Sequence, residues 1–174
     1  MEKEQNAVRR LYLIRHAKSS WAAPGLRDFD RPLNSRGKLD APFMGKRLAG
    51  YGICPQLILA SPAKRTRKTA QYIAEAVHYA TEEIVFSEAI YEAGVADLLQ
   101  VIAQAPVDVG VLFLVGHNYA ITDLAENLTG QNLGNIPTCG VVGIEFSAQS
   151  WADIIPGLGR LLFFDYPKKH DNKE

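Results

Sequence analysis

The stretch VGVLFLVGH, Val109 to His117, restricts the fold more than any other part of the chain. It holds eight apolar or glycine residues in a row, without polar alternation, and then ends on a histidine. A strand with no polar face has to be covered on both sides. Two shorter runs repeat the pattern: LYLI within RRLYLIRH, residues 9–16, and QLILAS, residues 56–61.

Segments with helical spacing lie between these strands. LNSRGKLDAPFMGKRLAGYG reads as a helix capped by Asn34 or Ser35, with Leu39, Phe43, Arg47 and Leu48 near helical spacing and Pro42 weakening its early turns. AKRTRKTAQYIAEAVHY sets Ala70, Ile73, Ala74 and Val77 along one side. EIVFSEAIYEAG reads as partly extended, and VADLLQVIAQAP as a helix stopped by Pro106. NYAITDLAENLTG is a helix closed by Gly130, and CGVVGIEF and GRLLFFDYP supply two more strands.

Strands alternating with helices predict an α/β fold, a mostly parallel central sheet with helices on both faces. The expected organisation is a flexible N-terminus over 1–8, a single domain over 9–167 and a flexible tail over 168–174. The 174 residues leave little room for an inserted cap domain.

Composition narrows the function classes. Lys+Arg and Asp+Glu both total 19, which argues against a partner as anionic as nucleic acid or a membrane surface. No apolar run approaches the roughly 20 residues of a membrane span. The start MEKEQNAVRR lacks a signal-peptide core, so a cytoplasmic location is expected. Cys54 and Cys139 match no metal-ligand spacing and are expected to be buried free thiols. No HExxH, EF-hand or Walker pattern occurs, so neither a metal nor another cofactor is expected.

Three strands end in polar signatures: RHAKSS after the first, SPAKRTRKT after the second and GHN after the fourth. Ligands of open α/β sheets sit beyond the carboxyl ends of the strands, so these signatures are predicted to converge. Arg15 and Arg65 would bring forked, permanently charged donors suited to phosphate oxygens. His16 and His117 are groups able to change protonation near neutrality. Fixed positive charge disfavours imidazolium, leaving His16 neutral and nucleophilic, while His117 is suited to hydrogen-bond the transferring group.

LIRHAKSS, SPAKRTRKTA and VGHN together resemble the histidine phosphatase superfamily, the phosphoglycerate mutase-like fold. DRPLNSRG, IYEAG and the closing GRLLFFDYP are similar to its SixA-type phosphohistidine phosphatase branch. The likeness spans about residues 9 to 167. It implies His16 as the phosphorylated nucleophile, Arg15 and Arg65 as phosphate clamps, His117 as the second histidine and Ser61 as support for its turn. Ala17 stands where the commoner motif has glycine.

The leaving group turns on a general acid. Acid phosphatases of the superfamily place an aspartate after the second histidine, and here that position is Asn118. Mutase-like members use a mid-chain glutamate, for which Glu92 is the better counterpart and Glu88 the other. Imidazole leaves more readily than an alkoxide, so a site lacking a strong acid favours phosphohistidine or another phosphoramidate. The expected activity is thus that of a metal-independent phosphatase with a covalent phosphohistidine intermediate. The alternatives are a phosphatase of small phosphomonoesters with Glu92 as acid, and a non-catalytic phosphate-binding module. Lys18, Ser19, Arg31 and Asn118 complete the predicted substrate-binding set. The expected partner is a phosphorylated protein or small molecule.

Overall fold

A computed structural model describes residues 7–171. Six strands form one sheet: β1 (Val8–Arg15), β2 (Leu57–Ala60), β3 (Val85–Phe86), β4 (Val111–Gly116), β5 (Val141–Ser147) and β6 (Arg160–Asp165). Their order is β3-β2-β4-β1-β5-β6. The first four in that order run parallel, and β5 pairs antiparallel with both β1 and β6.

The uninterrupted apolar strands are central because both of their faces are buried. In β1, Leu11 and Leu13 face a core with Leu112, Leu114, Leu124 and Leu128, on the side of α3 (Val95–Ala103) and α4 (Ala120–Thr129). Tyr12 and Ile14 face the opposite core with Phe113, Val115, Met44 and Ile73, on the side of α1 (Ser35–Gly50) and α2 (Lys64–Ala76). The period-2 geometry of the strand divides its apolar residues between two helical layers. Among the described residues no cap domain covers the strand ends, and no helix is long and apolar enough to cross a membrane.

Three expectations are corrected. Helix α1 is capped by Asn34, whose Oδ1 accepts from Gly37 N at 2.9 Å, and continues through Pro42, but it is rotated from the expected face. Its buried residues are Gly37, Asp40, Ala41, Met44, Gly45 and Leu48, whereas Leu39 is 70% and Phe43 39% exposed. The rotation follows from close approach to α2, where a Cβ on Gly45 would lie 2.7 Å from that of Ala76.

Lys168 to Asp171 also depart from the expected tail. Pro167–His170 form a 3-10 turn, His170 Nε2 lies 2.6 Å from Asp165 Oδ1, and Arg36 Nη2 donates to Asp171 Oδ1 at 2.8 Å. At the other end β1 begins already at Val8, paired with Ser147. The rest of both expected flexible segments, 1–6 and 172–174, lies outside the described residues. Finally, both cysteines are free, yet Cys54 is exposed and only Cys139 is buried.

Candidate active site

Strand register assembles the site. Arg15 at the end of β1 lies opposite Gly116 of β4, and Val115 lies opposite Ala60 of β2. The next residues of the three strands, His16, His117 and Ser61, therefore emerge close together at the carboxyl ends of neighbouring strands. The imidazole centroids of His16 and His117 are 5.4 Å apart.

His16 is held from both directions along the chain. Its N–H donates to Gly116 O at 3.0 Å, and its carbonyl accepts from Cys139 N at 3.0 Å. The next residue, Ala17, donates its N–H to Thr69 Oγ1 at 3.0 Å. Nδ1 of His16 lies 2.7 Å from the carbonyl of Ala17, an acceptor that requires Nδ1–H. The lone pair of the neutral ring is thereby assigned to Nε2. His16 is only 8% exposed. Burial pushes its pKa down to about 3, the Ala17 bond opposes this, and His117, Arg65 and Arg15 add to the depression.

His117 is bracketed by hydrogen bonds. Arg65 Nη2 approaches Nδ1 at 3.3 Å, and Ser61 Oγ lies 2.8 Å from Nε2. A guanidinium only donates, so Nδ1 accepts and Nε2–H points to Ser61. Tyr91 meets the imidazole edge-on, with centroids 5.4 Å apart. Burial and then Arg65 drive the His117 pKa down to about 4, with Asp28 opposing.

The two arginines share an arrangement. Arg15 Nη1 donates to Ile136 O at 2.8 Å. Arg65, in the first turn of α2, donates from Nη1 to Asp28 O at 2.6 Å and from Nη2 to Asp28 Oδ2 at 2.9 Å. The Nε–H of each is buried and has no acceptor among the described residues. Buried donors without acceptors are costly, and beside two uncharged histidines they suit an anion's oxygens. No cluster of three metal-ligating side chains occurs among the described residues.

The other predicted residues are distributed around this centre. Arg31 is buried over the Trp21 ring at 3.6 Å and donates from Nη1 to Ser19 Oγ at 2.6 Å, so the pair braces the loop after β1. Lys18 is exposed beside Arg15, Arg36 and Lys168 in a pocket of about 260 Å³. Asn118 is held by its neighbours, its Nδ2 donating to Asn135 Oδ1 and its Oδ1 accepting from Thr122 Oγ1 at 2.5 Å. Glu92 is exposed on the wall of a groove of about 640 Å³ with Arg27, Asp28, Phe29, Glu88 and Tyr91. Its carboxylate makes no hydrogen bond or ion pair among the described residues.

Sequence reasoning passed over Asp28, Thr69 and the carbonyl of Ile136. Asp28 had no signal beyond being one of two acids before Arg31, and a backbone carbonyl has none at all.

The sequence model described as "Histidine phosphatase superfamily (branch 1)" matches residues 11–99, a span that includes Arg15, His16 and Arg65 and stops before His117. An uncharacterised chloroplastic protein of Arabidopsis thaliana is 35% identical over 153 residues, which cover 83% of this chain and 70% of that protein. The crystal structure of a protein assigned as the phosphohistidine phosphatase SixA of Agrobacterium tumefaciens superposes with a TM-score of 0.79 at 34% identity, covering 91% of this chain and 98% of that one. The protein histidine phosphatase SixA complexed with tungstate shares the fold at a TM-score of 0.74 and 18% identity, covering 92% and 98%.

Proposed function

The chain belongs to the histidine phosphatase superfamily and is a phosphatase, and from that premise we propose that it hydrolyses phosphoramidates, phosphohistidine foremost, through a phosphoryl group carried on His16. One observation carries this reading: His16, with a free Nε2 lone pair, feels the charge of Arg15 and Arg65, each of which keeps a buried Nε–H without an acceptor among the described residues.

In the first step Nε2 of His16 forms a bond to phosphorus while the P–N bond of the substrate breaks. The substrate nitrogen leaves with the bonding pair and takes a proton from solvent water, which the phosphate released in the second step returns. Water then attacks the phosphoryl group on His16, releasing phosphate and restoring the neutral ring. Negative charge on the three equatorial oxygens is met by the two guanidinium groups. His117 exchanges a partner within the protein for the transferring group. Fixed cations supply this stabilisation, so the proposed chemistry calls for no metal.

The leaving group selects between substrates. Asn118 has no acidic proton and is held by Asn135 and Thr122, so the position after the second histidine supplies no acid. An imidazole leaving group tolerates that deficit better than an alkoxide. The rival reading, hydrolysis of small phosphomonoesters with Glu92 as acid, draws on the place of Glu92 in the groove beside Tyr91. Glu92→Gln separates the two: ester hydrolysis would collapse, whereas P–N hydrolysis would persist.

The test is incubation with a phosphoramidate, followed by mass spectrometry and acid-lability of the label in wild type and His16→Ala. Acid-labile phosphate on His16, lost in the variant together with turnover, is the expected result. Turnover that survives His16→Ala would remove His16 as the nucleophile. Silence of the wild type toward both phosphoramidates and phosphomonoesters would leave a phosphate-binding module.

A further inference from the structure

Asp28 lies in the 3-10 turn Asp28–Asp30 of the loop joining β1 to α1, and its side chain is 51% exposed. Half-exposed loop acids usually make one partner or none. Asp28 makes four contacts through its carboxylate and two more through its backbone carbonyl, one of them the 3.2 Å bond from Arg31 N that closes its own turn. Oδ1 accepts from Arg31 Nε at 3.2 Å and Arg31 Nη2 at 3.1 Å. Oδ2 accepts from Arg65 Nη2 at 2.9 Å and from the Tyr91 hydroxyl at 2.8 Å. The carbonyl of the same residue accepts from Arg65 Nη1 at 2.6 Å.

Both terminal nitrogens of Arg65 are thus tied to one residue, which fixes the rotation of the guanidinium plane. Nε–H remains the donor without an acceptor among the described residues. The same carboxylate joins three separate segments: the loop after β1 through Arg31, the first turn of α2 through Arg65, and the turn after β3 through Tyr91.

We propose that Asp28 is a positioning residue of the phosphoryl site, orienting Arg65 toward the transferring group and locking Arg31 and Tyr91 into the same wall. The inference rests on the reading of Arg65 as a phosphate clamp. Asp28 acts only as an acceptor. Four donors surround its carboxylate, and the bonds from Tyr91, Arg65 and Arg31 outweigh the effect of burial to hold its pKa at about 2, so at neutral pH it has no proton to give.

Asparagine at this position cannot do the same work. Both carboxylate oxygens accept, one from Arg31 and the other from Arg65 and Tyr91, and an amide would turn a donor toward one side or the other. The experiment measures tungstate binding by calorimetry, and kcat and KM on a phosphoramidate, for wild type, Asp28→Asn, Arg65→Lys and the double variant. Asp28→Asn should weaken tungstate binding about 10-fold and lower kcat/KM about 100-fold, the scale of a misplaced catalytic group. In the Arg65→Lys background the same change should cost less than about 2-fold, because a residue that acts through Arg65 has nothing left to orient.

Tungstate bound as tightly as, or more tightly than, by the wild type would overturn the proposal, making Asp28 a competitor for the arginines. An equal loss in the Arg65→Lys background would also overturn it. Tungstate binding needs no turnover. A wild type inactive on the phosphoramidate would thus count against the proposed substrate, while the binding comparison would still decide the role of Asp28.

Discussion

At the scale of single residues, the candidate site sets two histidines among fixed cations, where the neutral imidazole is favoured. His16 is pushed down to about 3 and His117 to about 4, both first by burial. Nucleophilic attack requires the neutral ring, so the acid limb of kcat/KM should lie below pH 5 rather than near the 6.5 of free imidazole; a pH–rate profile from pH 4 to 9 checks this. Stability follows from the same shifts. Both histidines have folded values below their unfolded value, so the unfolded chain takes up protons first as pH falls. Their contribution is complete above about pH 6.5 and declines toward pH 4, at up to roughly 1.4 kcal/mol per pH unit for each ring. Urea unfolding at pH 7 and pH 5 should show a smaller difference for His16→Ala than for wild type.

Elements carry the site through their ends. Helix α1 contributes no catalytic group, yet its first turn supports the loop that follows His16. Asn34 N donates to Lys18 O at 3.0 Å, and a Cβ on Gly37 would fall 2.2 Å from that same oxygen. Backbone on one side and helix on the other leave no flexible side chain to give way. Gly37→Ala should therefore shift Lys18 and the adjoining His16–Ala17 turn, costing about 1–3 kcal/mol by overpacking. Activity should fall as well, since a displaced turn moves His16, the proposed nucleophile. Thermal melts together with kcat/KM on a phosphoramidate test both expectations. An unchanged melting point would mean that the loop yields freely and is no anchor for the site. The buried face of α1 departs from its hydrophobic spacing for the same reason: spacing alone favours Leu39 and Phe43, but glycine at positions 37 and 45 lets the helix seat itself against a loop and against α2.

Across the whole molecule, the sheet separates a reactive edge from inert interior chemistry. Cys139 itself donates its N–H to the His16 carbonyl, yet its side chain is fully buried and burial pushes its thiol pKa strongly upward. Cys54 lies exposed after α1. Iodoacetamide on the native protein at neutral pH should modify Cys54 alone, and a denatured sample should take up two labels; intact-mass measurement reads both. Labelling of Cys139 in the native state would show that the turn beneath His16 opens readily. Among the described residues no cap domain covers the strand ends, and Phe29 and Tyr91 wall a groove on the side of Tyr91 that meets His117.

What the chain determined by itself is the part governed by local chemistry. Uninterrupted apolar runs mark the buried central strands, because a strand covered on both faces has no polar side to show. Arg15, His16, Arg65 and His117 were legible as candidates because polar and charged residues cluster where the apolar strands end. Tertiary structure decided the rest. The register of β1, β2 and β4 sets His16 beside His117, a relation between residues a hundred positions apart. The role proposed for Asp28 depends on three segments meeting at one carboxylate, and the tautomer of His16 depends on a carbonyl one residue away. Hydrogen bonds are directional and act over about 3 Å. Spacing along a sequence predicts faces and periods, but only the folded backbone brings a given donor to a given acceptor.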